Sequence, residues 1–144
     1  MDRYSTSLWT YLKKFKNDSE KKFHIHERSS MLENIADAIK AIQNKKYCHL
    51  DIKPSNILIN LRKGGKWKSW DDLVLTDFGL SGSIDSALGQ CGTPGFGSPE
   101  QFMGKVHLKS DNYAFGKICD YYFIPMGYRM GLTVETDYQR GCQK

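Results

Sequence analysis

The sequence lacks the features of a membrane or secreted protein. No apolar run approaches the roughly eighteen residues that a transmembrane helix needs. The N-terminal stretch MDRYSTSLWTYLKK has no basic segment followed by an apolar one, which a secretory signal requires. We therefore expect a cytoplasmic protein with no membrane partner, a nuclear location being the other option.

Cysteine is sparse and scattered. The four cysteines contain no CxxC pair and no zinc-ligand spacing: Cys48, Cys91, Cys119 and Cys142. Without a secretory signal, this distribution indicates reduced thiols. It disfavours both a disulfide framework and a zinc site.

The composition is that of one ordinary globular domain. Of 144 residues, 40% are hydrophobic and 26% are charged, proportions that allow a buried core. The net charge is +5 and is carried by short clusters such as Lys45 and Lys46 or the stretch 62–68. Such clusters are usually solvated faces or loops, but they also suit a phosphate-bearing ligand. A nucleic-acid partner is not favoured, because no aromatic platform or recognition helix supports it.

Hydrophobic periodicity predicts two helices in the first third of the chain. Residues 7–12 form a short amphipathic pattern with Leu8, Tyr11 and Leu12 on one side. Residues 16–28 are polar and predict an irregular connection. A longer helix follows, capped by Ser29 or Ser30. Its apolar face keeps the i, i+3, i+4 rhythm: Met31, Leu32, Ile35, Ala36, Ile39 and Ile42.

The middle of the chain predicts a small β-hairpin. Two β-type runs, 57–59 and 73–75, flank a Gly64–Gly65 turn, and the second strand is expected to end at 76–79. Just before the hairpin, Pro54 excludes helix continuation and disfavours the α region at Lys53.

A long loop and a last helix complete the pattern. Residues 80–102 are rich in Gly, Ser and Pro, and a loop of this length inside a compact domain is more often functional than idle. The glycines at 92, 95 and 97 do not open a helix after a strand, so they indicate tight turns rather than a phosphate-binding loop. We expect a helix from Tyr113 to about Phe123, ended by Pro125 and capped by three polar residues, Ser110, Asp111 and Asn112.

An ordered set of polar motifs lies on these elements. The long helix leads to HLDIKPSN at 49–56, the hairpin to DFG at 77–79, and the loop to GTPGFGSPE at 92–100, before SDNYAFG at 110–116. This succession resembles the C-terminal lobe of a eukaryotic-type protein kinase, whose H-R-D-L-x-x-x-N, D-F-G and A-P-E signatures follow the same order. Each motif alone is a weak signal, but the ordered set is specific. The resemblance covers about residues 4–124 and implies an α+β, mainly α, kinase-like lobe of helices with a small β-hairpin.

The resemblance implies ATP-dependent phosphoryl transfer with Mg²⁺. Asp51 would accept the proton of the incoming hydroxyl, and Lys53 would follow the phosphoryl group as a point charge. Asn56 and Asp77 would supply oxygen ligands to Mg²⁺. Leu58 would contact the adenine ring, so the cofactor-binding residues would be Leu58 and Lys53.

The long loop would carry the activation and substrate segment. The D-x-K pattern together with Thr93 looks like the serine/threonine branch, in which Thr93 would bond near Asp51 and Lys53. A protein substrate with a Ser or Thr hydroxyl is implied. Gly79 and Glu100 belong to the same segment by resemblance.

Three residues would have structural roles. His49 and Phe78 would join the packed spine that links the two lobes of the family. Asp111 would tie the backbone of the catalytic loop to the following helix. Because spine residues are core residues, Phe78 and Leu58 are expected to be buried.

The sequence departs from the family pattern in two ways. Leu50 stands where the family has the arginine of H-R-D, which pairs with a phosphorylated loop residue, so an active form should not depend on that phosphorylation. No G-x-G-x-x-G-x-V loop or V-A-I-K lysine is present, although ATP binds between two lobes in the family. We therefore interpret 1–144 as a partial kinase domain, truncated at both ends. Two functions stay open: a serine/threonine kinase catalytic region, or a non-catalytic kinase-derived module that binds or regulates a partner.

Overall fold

The computed structural model describes residues 4, 6–16, 25–61, 73–84 and 91–123. In chain order the helices and strands are β1 (Thr6–Ser7), α1 (Leu8–Lys16), α2 (Ile25–Asn44), β2 (Tyr47–Cys48), β3 (Ile57–Ile59), β4 (Leu73–Leu75), β5 (Gly82–Ser83), α3 (Pro99–Phe102) and α4 (Ser110–Ile118). Single 3-10 turns occupy Pro54–Asn56 and Phe78–Leu80, and a π-helical turn, Cys119–Phe123, continues α4. The described part is thus mainly helical with two small sheets.

Helix α1 packs by the face that its sequence predicts. Leu8, Tyr11 and Leu12 are all buried, because residues three and four apart share one side of a helix. The helix runs further than predicted. At its start, the amide of Thr10 donates to Ser7 Oγ at 3.2 Å, which satisfies one of the amides that a helix leaves unpaired.

Helix α2 is longer than the sequence predicts. Its buried positions repeat every four residues and confirm the predicted core face: Met31, Ile35 and Ile39. The helix begins at Ile25, so the irregular chain predicted through residue 28 and the cap predicted at Ser29 or Ser30 are wrong. The first turn has one apolar residue, Ile25, and so shows no apolar rhythm, yet it is tolerated because packed turns further along stabilise the helix.

The predicted hairpin is present and is joined by a third strand. Strands β3 and β4 pair antiparallel with Ile57 opposite Leu75, which confirms the hairpin, while its predicted turn at 64–65 lies outside the described residues. Strand β1 pairs antiparallel with β3, placing Thr6 opposite Ile59. Two residues are too short a run to show strand alternation, and β1 was therefore not predicted.

The chain after β4 also differs from the prediction. Strand β4 ends at Leu75, directly before residues 76–79, where its end was predicted. Asp77 then takes a left-handed conformation at φ 61°, and a 3-10 turn follows. Strand β5 then pairs antiparallel with β2, Tyr47 opposite Ser83. Part of the loop predicted to be irregular is therefore extended.

Helix α4 does not use its predicted caps. Its N-cap position is Lys109, which makes no side-chain capping bond. The predicted caps lie inside the first turn instead: Ser110, Asp111 and Asn112. Asn112 Oδ1 accepts a bond from Gln43 Nε2 of α2 at 2.8 Å, so its polar group joins two helices. The helical segment continues to Phe123, the last described residue, so its predicted end at Pro125 lies outside the described residues.

A single cluster of buried side chains connects α1, α2, the β3–β4 hairpin and α4. Its members are Leu8, Tyr11, Leu12, Met31, Ile35, Ile39, Ile52, Ile57, Ile59, Leu75, Ala114, Ile118 and Phe123. Ile52 brings the 49–56 loop into this cluster, so the loop is anchored to the core. Within the described ranges, no helix is both long enough and apolar enough to cross a bilayer.

Candidate active site

The loop between β2 and β3, residues 49–56, has a backbone set by its proline. Lys53 is extended, with φ −158° and ψ 159°, the conformation favoured before proline. Pro54 then opens the 3-10 turn, in which the amide of Asn56 donates to the Lys53 carbonyl at 2.9 Å. The turn therefore holds the lysine and the asparagine at a fixed separation.

The carboxylate of Asp51 is the centre of the site. It is 8% exposed and lies 3.2 Å from Lys53 Nζ through Oδ2. Asn56 Nδ2 donates to the same oxygen at 3.0 Å, and Thr93 Oγ1 donates to Oδ1 at 2.5 Å. All three partners are residues that the resemblance singles out, and together they orient the carboxylate at the surface of the core.

Thr93 connects the long loop to this carboxylate although it is 42 residues away in sequence. Its hydroxyl donates to Asp51 and accepts a bond from Lys53 Nζ at 2.7 Å. A hydroxyl can do both at once, because it has one proton and two lone pairs. Thr93 thus lies between the acid and the cation, in the place that the resemblance implies.

Asn56 and Asp77 each carry an oxygen that could bind a metal ion, and they lie on neighbouring segments of the chain. The amide nitrogen of Asn56 donates to the Asp51 carbonyl at 2.9 Å and to its carboxylate, so the amide oxygen is at the opposite end of the group. The backbone of Asn56 also accepts the amide of Thr76 at 2.9 Å, which places exposed Asp77 next in the chain. A Cβ at Gly79 would lie 3.3 Å from Asp77 Oδ1, so glycine leaves room around that carboxylate.

This donor set fits Mg²⁺ better than a softer metal. Mg²⁺ prefers oxygen ligands and is usually bound through one or two protein groups, with phosphate oxygens and water completing the shell. Asn56 and Asp77 would hold it through an amide and a carboxylate oxygen. Among the described residues, no three His, Cys, Asp or Glu side chains come together as a protein-only metal cluster.

The start of the loop is held by His49 and Asp111, both fully buried. Asp111 accepts the amides of His49 at 2.7 Å and Leu50 at 2.8 Å through its two oxygens. His49 Nδ1 accepts the amide of Asp51 at 3.2 Å, so its Nε2 carries the proton and donates to the Thr76 carbonyl at 3.0 Å. Burial raises the pKa of Asp111, and the two backbone amides oppose that rise.

Leu50 adopts an uncommon backbone conformation in this loop. Its φ is 68°, a left-handed value that few bulky residues take, and its side chain is 2% exposed. Both backbone groups are bonded, the amide to Asp111 and the carbonyl to Gln101 Nε2 at 3.0 Å. The leucine that replaces the family arginine is therefore a core side chain held from both ends.

Gln101 is the site residue that the sequence prediction missed. It is 1% exposed and lies in α3, directly after the S-P-E motif. The S-x-x-Q spacing of residues 98–101 is a capping-box signal and could have drawn attention to it. Its bond across to Leu50, 51 residues away, had no signal in the sequence.

The expectation that Phe78 is a core residue is wrong. Its side chain is 48% exposed, although its ring contacts that of His49 at a centroid distance of 4.7 Å. The 3-10 turn after Asp77 directs the ring to the edge of a cavity of about 380 Å³. The cavity is lined by Ala41, Ile42, Lys45, Tyr47, Phe78 and Ser81. Leu58 is half-buried in β3, and its adenine contact stays a prediction.

Glu100 is fixed at the start of α3. Its Oε1 accepts a bond from Ser110 Oγ of α4 at 3.3 Å. Burial pushes the pKa of Glu100 upward, but hydrogen bonds from its own backbone amide, Ser98 and Ser110 outweigh this and hold the pKa below its ordinary value. Glu100 thereby connects the long loop to α4.

Comparison with known proteins gives one consistent result. The family model described as "Protein kinase domain" matches residues 3–124. The chain is 37% identical over 102 residues to the serine/threonine-protein kinase DCLK1 of Rattus norvegicus, covering 69% of this chain and 23% of that protein. It is 35% identical over 95 residues to the serine/threonine-protein kinase pkn2 of Myxococcus xanthus, covering 60% and 11%. Aurora kinase B of Xenopus tropicalis is 30% identical over 108 residues, covering 73% and 28%. The chain therefore spans less than a third of the length of these relatives.

Proposed function

The chain belongs to the protein kinase domain family, and from that premise we propose that it is the C-terminal-lobe part of a serine/threonine protein kinase. Its activity would be the transfer of the γ-phosphate of ATP to protein Ser or Thr hydroxyls. The observation that carries the proposal is the Asp51–Thr93–Lys53 arrangement, in which a nearby lysine and a threonine 42 residues away both contact the Asp51 carboxylate. Kinase function at the level of the family is supported by the names of the relatives.

Asp51 is the group that would meet the substrate hydroxyl. The hydroxyl oxygen forms a bond to the γ-phosphorus, the bond from that phosphorus to the β–γ bridging oxygen breaks, and the hydroxyl proton passes to the Asp51 carboxylate. A carboxylate is a weak base, so its main contribution is to orient the hydroxyl as the bond forms. Bonds from Thr93 and Asn56 keep the carboxylate in one orientation.

Lys53 supplies positive charge beside this carboxylate. Its ammonium is shared between Asp51 Oδ2 and Thr93 Oγ1, which holds a long flexible side chain in one place. A point charge so placed stabilises negative charge on the migrating phosphoryl group. Thr93 positions both groups, and its presence with the D-x-K pattern supports Ser/Thr substrates.

Asn56 and Asp77 would bind Mg²⁺, which when bound neutralises charge on the ATP phosphates. Gly79 supports this role by leaving space at Asp77 Oδ1. Leu58 would contact the adenine. A cytoplasmic location is part of the same proposal.

The test is phosphate transfer from radiolabelled ATP to a peptide library containing Ser and Thr, with Mg²⁺ present. We expect Asp51→Asn to lower the transfer rate by about 10²–10⁴-fold, the usual contribution of a positioned base, without changing nucleotide affinity. Asp77→Asn should instead lose Mg²⁺-dependent nucleotide binding. Asp37→Asn is the control, because Asp37 is an exposed carboxylate on α2. An active protein that Asp51→Asn leaves unaffected would contradict the role of Asp51.

A non-catalytic binding module is the second candidate. The observation that favours it is the exposed ring of Phe78, 48% accessible, which a partner could cover. Calorimetric titration of the 144-residue chain with ATP, with and without Mg²⁺, separates the two candidates. Micromolar Mg-ATP binding favours the catalytic reading, and no nucleotide binding favours the module.

A further inference from the structure

The side-chain amide of Gln101 joins two segments that the proposed chemistry needs together. Its Oε1 accepts the backbone amide of Ser98 at 3.0 Å, and its Nε2 donates to the Leu50 carbonyl at 3.0 Å. The first bond lies within the start of α3, whereas the second crosses to the loop that carries Asp51. Because Gln101 is 1% exposed, both bonds are buried.

The orientation of this amide is determined by its partners. The Ser98 amide can only donate and the Leu50 carbonyl can only accept, so the oxygen of Gln101 must face Ser98 and its nitrogen must face Leu50. The reverse orientation would place donor against donor and acceptor against acceptor. Gln101 therefore has a capping end and a bridging end, which can be tested separately.

The bridging end also packs against the loop that carries Thr93. Gly92 has a φ of +119°, and a Cβ there would lie 3.1 Å from Gln101 Nε2 and 3.6 Å from the Leu50 carbonyl oxygen. Thr93 follows directly, and its carbonyl accepts the amides of Phe96 at 3.1 Å and Gly97 at 2.9 Å. Gly92, which directly precedes this turn, therefore lies against the Gln101–Leu50 contact.

We propose that Gln101 is a positioning residue that holds the 91–98 loop against the 49–56 loop without a phosphate. This rests on the proposed kinase function. A phosphorylated loop needs a cationic partner, and Leu50 cannot provide one. The Gln101–Leu50 bond uses the backbone carbonyl of the same residue, is neutral, and is present in the unmodified chain. It keeps Thr93 next to Asp51, so the 91–98 loop is ordered without being phosphorylated.

Hydrogen exchange of the 144-residue chain, read by mass spectrometry after phosphatase treatment, tests the bridge directly. Gln101→Glu keeps an acceptor for Ser98 and loses the donor to Leu50, while Gln101→Met loses both. Met103→Leu is the control, because Met103 follows α3 and is 65% exposed. The reporting peptides are 91–98 for the loop and 110–118 for α4.

We expect Gln101→Glu to exchange about tenfold faster over 91–98, a ratio that corresponds to the loss of about one buried hydrogen bond, and Gln101→Met to exchange at least as fast. Residues 110–118 and the Met103→Leu chain should exchange as the unaltered chain does. Unchanged protection of 91–98 in both Gln101 variants would overturn the proposal. So would acceleration spread equally over 110–118, because that result indicates general destabilisation.

Kinetics separate this proposal from the proposed function. In an active protein, Gln101→Glu should lower kcat about tenfold and leave the KM for Mg-ATP unchanged. Phosphatase treatment should not change the rate of the protein without substitutions. A rate that falls after phosphatase treatment would overturn the proposal. If the chain shows the expected exchange pattern but transfers no phosphate, the bridge is supported and the kinase activity of this chain is refuted.

Discussion

Replacement of Asp111 by asparagine tests how the 49–56 loop is held to α4. The side chain of Asp111 is fully buried, and its two oxygens accept the amides of His49 and Leu50 at 2.7 and 2.8 Å. Asparagine has nearly the same shape but replaces one oxygen by an NH₂ donor. One of the two backbone amides would then face another donor inside the protein.

The magnitude follows from that single lost acceptor. A hydrogen bond to a charged group contributes about 1.5–3 kcal/mol, and a buried donor without a partner costs about 1–3 kcal/mol. These ranges describe the same lost contact, so we expect Asp111→Asn to lower the free energy of unfolding by about 2–3 kcal/mol. With a urea m-value of about 2 kcal/mol/M, the midpoint of unfolding should fall by about 1–1.5 M.

The measurement is urea unfolding followed by far-ultraviolet circular dichroism. Asp37→Asn serves as the matched control, since it makes the same chemical change at an exposed position of α2 and should shift stability by less than about 0.5 kcal/mol. A midpoint for Asp111→Asn within about 0.2 M of the unaltered chain, at equal m-value, would refute the reasoning. It would mean that the two short bonds to the loop do not stabilise the fold.

Three further predictions concern single contacts of the same region. Gly79→Ala places a Cβ 3.3 Å from Asp77 Oδ1, and we expect Mg²⁺-dependent nucleotide affinity in titration calorimetry to fall about threefold to tenfold. Equal affinity would contradict the view that glycine is needed here to leave room for the carboxylate. Because the pKa of Glu100 lies below its ordinary 4.5, its contribution to stability is fully present above that pH and is lost as pH falls through the lower folded value. Between about pH 6 and pH 3, the urea midpoint of Glu100→Gln should fall less with pH than that of the unaltered chain, because the variant has no carboxylate to protonate here. An equal fall in both proteins would contradict the stabilising role of Glu100. Burial raises the pKa of the Cys48 thiol from 9.0 to about 11. Iodoacetamide at about pH 8 should therefore label Cys48 about tenfold more slowly in the folded chain than in the urea-unfolded chain, as read by peptide mass mapping. Equal rates would contradict the burial of Cys48.

Local patterns were sufficient for the helix faces and the hairpin. The four-residue repeat of Met31, Ile35 and Ile39 predicts a core face because side chains at that spacing lie on one side of a helix. The run Ile57–Ile59 predicts a strand for an equally local reason. Each of these signals is contained within a few neighbouring residues.

Element ends and short strands were predicted less well. The first turn of α2 has one apolar residue and no apolar rhythm, so its start at Ile25 was missed. Ser110 and Asp111 have the residue types of N-caps, but their side chains bond to Glu100 and to the 49–56 backbone instead. The competing partners come from distant segments, which a local pattern does not include.

The exposure of Phe78 also shows that a local motif does not determine which side chains are buried. An aromatic residue in a D-F-G motif was expected in the core, yet only its contact with His49 is as implied. Whether a ring is covered depends on which segments pack over it. That is a property of the folded chain rather than of the residue type.

The sequence by itself determined which chemical groups are available and in what order: an acid, a lysine and an asparagine on a proline-stiffened loop, then a second acid, then a threonine in a glycine-rich loop. The spacing of residues within a motif is a local property, so it does not depend on how the rest of the chain packs. Only the tertiary structure decided which atoms meet. It placed Thr93 between Asp51 and Lys53 and brought the amide of Gln101 to the Leu50 carbonyl, across 42 and 51 residues of sequence. Such contacts depend on how the core packs as a whole, because the free energy that brings distant segments together comes from burying many side chains at once.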